Sequence, residues 1–192
     1  MELCRSSLRE LLNQAAGRGL SFEKVARWFL QMSYALKAAH QSGATHHNLK
    51  PENVLFDFYG NAKLSDFGLA RVVEVDASKG MPQVFVGTGG MSYMSPEQLS
   101  RGRESGPAAD IYALGIILYE MLTGQLPGRR SPFPSEIDPQ IPVAIDRLFD
   151  QMTHDKKEQR FQEMGAVIDA FMQSLPSQTL TKGELILVGD SI

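Results

Sequence analysis

The sequence predicts a mainly helical domain carrying one small β-ribbon, and three stretches make that prediction. Val25, Phe29, Met32, Leu36 and Ala39 alternate spacings of four and three, which lays one apolar stripe along a helix. Residues 110–123 are apolar nearly all round (Ile111, Ala113, Leu114, Ile116, Ile117, Leu118, Met121, Leu122), the pattern of a helix buried on every side. Between these, residues 53–57 and 62–65 flank Tyr59-Gly60-Asn61, whose glycine and asparagine suit a tight bend, and so predict a two-stranded ribbon.

The remaining elements follow in order. Leu8, Leu11 and Leu12 predict a short helix, with Ser6 or Ser7 as its cap and Gly17 and Gly19 closing it. Ser21 is expected to cap the second helix, which ends at Gly43, and Trp28, Phe29 and Met32 are assigned to the core. Residues 46–53 form a loop, because Pro51 denies them a helix. The ribbon then delivers Asp66 back beside Asn53. Residues 68–94 show little periodicity and closely placed glycines (Gly87, Gly89, Gly90), which predicts a long loop. Ser95-Pro96-Glu97 opens a short helix, with proline in the first turn where its missing N–H costs nothing. Gly124 ends the buried helix, a proline-rich linkage covers 127–142, and amphipathic helices are expected near 143–152 and 161–175, the latter stopped by Pro176. Residues 177–192 are read as a tail, with a possible strand at 184–188.

Composition narrows the function. At 192 residues the chain suits one domain with a full core. A net charge of −3 and a pI near 5.8 give no footprint for nucleic acid. Cys4 is the only cysteine, which excludes an intramolecular disulfide and a cysteine-based zinc site and fits a reducing compartment. The most apolar stretch, 111–122, is too short to cross a bilayer and contains Tyr112 and Glu120. The expectation is a cytoplasmic protein with neither nucleic-acid nor membrane partners.

The chemistry gathers in His46-His47-Asn48-Leu49-Lys50-Pro51-Glu52-Asn53 and in Asp66-Phe67-Gly68. A carboxylate and a carboxamide oxygen are hard ligands suited to magnesium, and a nearby ammonium neutralises phosphate charge. Taken singly, Lys50 reads as a solvated charge, Asn53 as a turn residue and Asp66 as a cap; together they have the layout of a metal–phosphate site. These two stretches resemble the H-R-D-L-x-x-x-N catalytic loop and the D-F-G metal-binding loop of the eukaryotic-type protein kinases, and Lys50 within Leu49-Lys50-Pro51-Glu52-Asn53 favours the serine/threonine branch.

The resemblance implies a kinase carboxy-terminal lobe over residues 1–176, with a catalytic-like loop at 46–53, a metal loop at 66–68 and an activation segment at 66–97. Gly87-Thr88 and Tyr93-Met94-Ser95-Pro96-Glu97 look like the end of that segment, with two extra residues between the pair and the tyrosine. By the same resemblance Asp110 holds the catalytic-loop backbone, and Arg160 pairs with Glu97. His46 and Phe67 stack between the loops, with Gly68 completing the metal loop. Asn53 and Asp66 hold magnesium, Lys50 meets phosphate, Leu55 lies under the adenine of ATP, and Glu52 faces substrate.

Three departures set the functional expectation. Asn48 stands where the family carries the aspartate that accepts the substrate proton, and His47 replaces the arginine that grips an activation-loop phosphate. The family's amino-terminal half, with its glycine-rich loop and strand lysine, is missing, so the chain is expected to begin at the resemblance's hinge. The expected function is a catalytically inactive interaction or regulatory module, with magnesium and ATP as cofactors by resemblance only. Its partner, a second protein or another copy, would dock on the inter-lobe face around Leu3 and Leu55. The alternatives are part of an active or split serine/threonine kinase, and a nucleotide–magnesium sensor without chemistry.

Overall fold

Helix α2, Phe22–Gln41, buries Val25, Phe29, Met32 and Leu36, the stripe its sequence spacing predicts, in a core shared with the apolar helix α4, Pro107–Thr123, and with Phe171, on which Phe29 packs. The computed structural model describes residues 4–67, 90–101, 106–128 and 130–175. Leu3, Gly68, Gly87, Thr88, most of the 68–94 loop and the expected tail strand lie outside the described residues. No helix among the described residues is long and apolar enough to cross a membrane.

Helix α1, Leu8–Gln14, starts at Ser7, whose hydroxyl accepts from the Glu10 N–H while the Glu10 carboxylate accepts from the Ser7 N–H. This reciprocal box satisfies two donors that a helix start leaves open. Ser21 does not do the same for α2: its side chain makes no cap hydrogen bond, and its carbonyl simply accepts from Val25 N–H at 3.1 Å.

Among the described residues the ribbon has three strands, not the expected two. Strand β1, Ser6–Ser7, pairs antiparallel with β2, Val54–Phe56, which pairs antiparallel with β3, Ala62–Leu64. Two serines carry no alternating pattern, so β1 is set by pairing alone, extended by Arg5 N–H donating to the Phe56 carbonyl at 2.8 Å. The turn after β2 is pinned to α2. Asp57 accepts from the Tyr59 and Asn61 N–H groups, Arg27 and Gln31 donate to the Asn61 side-chain oxygen, and Trp28 donates to the Gly60 carbonyl.

Helix α3, Pro96–Arg101, and the buried α4 follow, α4 beginning at Pro107 rather than Asp110. The proline-rich linkage contains a one-turn helix, α5, Pro134–Ile137; Ser135 N–H donates to Asp146 at 3.0 Å, which ties it to α6, Val143–Met152. Helix α7, Met164–Ser174, starts three residues later than the apolar pattern suggested. Gln162 ahead of it donates to the carbonyls of Lys157 and Arg160, fixing that segment as a turn.

The C-terminal end of α4 meets the chain between α1 and α2 at backbone distance. Leu20 N–H donates to the Met121 carbonyl at 2.8 Å, and a Cβ on Gly19 would lie 1.9 Å from the Leu122 carbonyl oxygen. Because the obstacle is backbone, Gly19→Ala is expected to cost about 3 kcal/mol, at the upper end of overpacking effects. A drop in the urea midpoint with unchanged slope would register it.

Candidate catalytic-loop and metal-loop site

One carboxylate organises the loop between α2 and β2. Asp110, 1 % exposed in the first turn of α4, accepts from the backbone N–H of His46 at 2.8 Å and of His47 at 2.9 Å. Its Oδ2 also lies 2.8 Å from His40 Nε2, at the end of α2. His47 takes a left-handed backbone with φ of 62°, a conformation that costs a non-glycine residue about 1–2 kcal/mol. The hydrogen bond to Asp110 fixes the chain in that reversal. His40 was not among the sequence candidates; its one signal was an imidazole four residues beyond Leu36 on the buried stripe.

Past the reversal the loop closes on itself. Pro51–Asn53 forms a 3₁₀ turn, with Asn53 N–H donating to the Lys50 carbonyl at 2.9 Å, so proline opens a tight helical turn where a loop without helix was expected. Asn53 Nδ2 donates to the Asn48 carbonyl at 2.8 Å. The Asn53 carbonyl accepts from Ser65 N–H at 2.9 Å, which brings the metal loop to the catalytic-like loop. Asp66, with φ of 62°, is exposed and accepts from Ser65 Oγ at 2.9 Å. The next residue, Phe67, packs on the His46 ring at 4.4 Å between centroids, as the resemblance implied.

His46 is completely buried, and neither ring nitrogen forms a well-shaped hydrogen bond among the described residues. Burial holds its pKa below the ordinary 6.5, against a smaller opposing pull from Asp110, backbone groups and Asp66. The imidazole is therefore a neutral packing element.

Asn53 Oδ1, Asp66 Oδ1 and the half-buried Lys50 ammonium have no partner among the described residues. No cluster of three His, Cys, Asp or Glu side chains is present among them either. That donor set fits an ion that takes one or two protein oxygens and completes its shell with phosphate and water, which is the habit of magnesium. Asn48 is half-buried, as is Leu55, which lies opposite Ser7 and Lys63 in the ribbon. Leu55 is thus not laid bare as expected. Phe58 and Tyr59, on the turn after β2, are exposed, with Arg5 stacked over Phe58 at 4.9 Å.

The segment leading to α3 is fastened from two sides. Arg160, its side chain fully buried, donates two hydrogen bonds to Glu97, at 2.7 and 2.9 Å. It also donates to the carbonyls of His154, Asp155 and Ala108 and stacks over Tyr112. Burial pushes the Glu97 carboxyl up, but the hydrogen bonds from Arg160 and neighbouring groups outweigh it and hold the pKa below the usual carboxylate range. Gln98 donates to the His47 carbonyl at 2.9 Å, joining α3 to the loop that Asp110 holds. Arg9 of α1, another residue the sequence reading passed over, bonds to Glu52, Glu120 and Tyr93 together. Glu120 was its signal, an acid in the middle of an apolar helix.

The family profile of the protein kinase domain matches residues 1–186. The chain belongs to the protein kinase family. Among relatives, it is 38% identical over 130 residues to a CBL-interacting protein kinase 24 of Oryza sativa subsp. japonica, covering 67% of this chain and 28% of that protein. It is 35% identical over 164 residues to a CBL-interacting serine/threonine-protein kinase 19 of Arabidopsis thaliana, covering 79% and 33% respectively. This kinase chain therefore spans no more than about a third of the length of these curated relatives. They support a eukaryotic-type serine/threonine kinase domain, and the helical body with its small ribbon is consistent with the carboxy-terminal lobe of one.

Two outcomes follow from this geometry. Asp110→Ala leaves two backbone donors of the loop and His40 without their acceptor and is expected to cost about 3–5 kcal/mol in denaturant unfolding. For His46, the folded pKa lies below the unfolded value of 6.5, so the unfolded chain binds the extra proton as pH falls through that window. Stability should fall on acidification below 6.5, by at most about 1.4 kcal/mol per pH unit from this group, and level off below the folded pKa. Comparing unfolding free energies of wild type and His46→Phe from pH 7.5 downward isolates the effect, which the variant should lack.

Proposed function

We propose that this chain is a kinase-like lobe that acts as an interaction or regulatory module and transfers no phosphate by itself. What carries the reading is a catalytic-like loop held at His46 and His47 by Asp110, with Asn48 standing where the resemblance puts the proton acceptor. A carboxamide has no useful proton affinity, and a general base contributes about a hundred- to ten-thousandfold in rate. The 192 residues also contain no G-x-G-x-x-G sequence to cover nucleotide phosphates. A protein partner or a second copy would dock on the ribbon, whose turn after β2 carries the exposed Phe58 and Tyr59; a contiguous apolar patch is what marks a partner surface. A cytoplasmic setting suits a chain with one cysteine.

Two other readings have support of their own. The relatives are much longer proteins named as kinases, which favours a lobe that moves the ATP γ-phosphate to protein hydroxyls once another segment supplies the glycine-rich loop and lysine. The unpartnered oxygens of Asn53 and Asp66 and the Lys50 ammonium favour a sensor of magnesium and ATP without chemistry. In that reading Asn53 and Asp66 would hold the ion, Lys50 would meet phosphate and Leu55 would lie beneath the base. The ion would supply neutralisation of phosphate charge.

Purified chain incubated with magnesium, γ-labelled ATP and a protein substrate should yield no more labelled product than Asp66→Ala. Product in clear excess over that variant would reject inactivity. In the same samples, a rise in melting temperature with magnesium–ATP that Asp66→Ala lacks would favour the sensor, because a ligand binding only the folded state must stabilise it.

A further inference from the structure

Asn53 pins both residues that flank Leu49. Its Nδ2 donates to the Asn48 carbonyl at 2.8 Å and its backbone N–H to the Lys50 carbonyl at 2.9 Å. Leu49 is 2 % exposed, so Asn48 and Lys50 stand on either side of a buried anchor, on backbone held from both ends. Both are half-buried, and neither side chain has a hydrogen-bond or ion-pair partner among the described residues. An unused carboxamide and an unused ammonium offer N–H donors and one positive charge. A free hydroxyl gains little from them, because its proton needs an acceptor of real basicity. A phosphorylated hydroxyl suits them, since it brings about two negative charges and three strong acceptor oxygens. A carboxylate in place of Asn48 would repel that group, whereas the carboxamide, of the same shape, donates to it. Of the acids on these two loops, Glu52 is met by Arg9 at 3.0 Å and Asp66 accepts from Ser65 Oγ. The setting also favours a phosphate that arrives on a polypeptide. A small cleft has Asn48 on one side and Gly90, Tyr93, Met94 and Gln98 on the other, and the chain around those residues exposes Met91 by 57 % and Leu99 by 60 %, apolar surface that a peptide can cover and a lone phosphate cannot.

We propose that Asn48 and Lys50 bind the phosphoryl group of a phosphorylated serine or threonine in another polypeptide, so that the loop recognises a phosphorylated hydroxyl and does not phosphorylate a free one. The proposal rests on the interaction-module reading and names the ligand of that module. No bond is made or broken in this recognition.

The test mixes the whole chain, with magnesium present, with a pool of short peptides randomised around one fixed phosphoserine, and separately with the matching serine pool. Wild type should bind the phosphoserine pool at least about tenfold more tightly than the serine pool, a difference of about 1.4 kcal/mol. Asn48→Asp and Lys50→Met should each abolish that preference while keeping the wild-type melting temperature, because the fold uses neither side chain. Equal binding of the two pools by wild type, or a preference that survives Asn48→Asp, overturns the proposal. So does competition by free phosphoserine or by ATP as effective as that of the peptide pool, which would make the ligand a phosphate without its polypeptide. If a variant melts early, wild type decides alone: the phosphoserine pool must raise its melting temperature and the serine pool must not. Absence of the preference together with absence of labelled product from γ-labelled ATP overturns this proposal and leaves the module reading standing, whereas labelled product overturns the module reading and the proposal with it.

Discussion

The acceptance of two consecutive backbone N–H groups by the Asp110 carboxylate is the constraint on which the site depends. A loop that reverses through a left-handed histidine has no regular ladder to satisfy its donors, and buried donors without partners are costly. Asp110 solves this from the first turn of a helix buried along nearly its whole length, so the loop inherits the position of a core element. From there the order passes outward: Asn53 closes on Asn48, Ser65 closes on Asn53, and Phe67 seats on His46.

The other irregular segments are fastened in the same way, by a polar side chain reaching across large sequence separations. Arg160 and Glu97 are 63 positions apart, and Arg9 and Glu120 are 111 apart. Each places a charge out of water and meets it with several hydrogen bonds, the condition under which a buried ion pair is tolerated. In this chain the residues that shape the lobe are thus distinct from the one that the resemblance makes the proton acceptor. The scaffold keeps its aspartate, glutamate and arginine in contact, while Asn48 stands where the resemblance puts the proton acceptor. Fold and chemistry can separate in this manner because function resides in a few side chains grafted on a general framework.

Much of this was legible in the residues. The four-and-three spacing from Val25 to Ala39 and the unbroken apolar run of α4 located the two central helices, because burial selects for those patterns. Glu97, Asp110, Arg160, His46 and Phe67 were placed by resemblance, and their contacts are present. What was not legible has a common cause. Strand β1 consists of two serines that pair only because the ribbon lies beside them, α5 is one turn held by Asp146, and Ser21 could cap α2 but does not. Each is decided by a neighbour remote in sequence, and no local pattern records it.

The sequence by itself determined the helical framework and the resemblance of its loops to those of kinases, since periodicity and residue identity are local properties of the chain. Only the tertiary structure decided that His40 joins the Asp110 cluster, that Leu55 is half-covered while Phe58 and Tyr59 stand exposed, and that Arg9 is the cation set against Glu120. The physical reason is that a side chain's partner is chosen by what packing brings within hydrogen-bond distance.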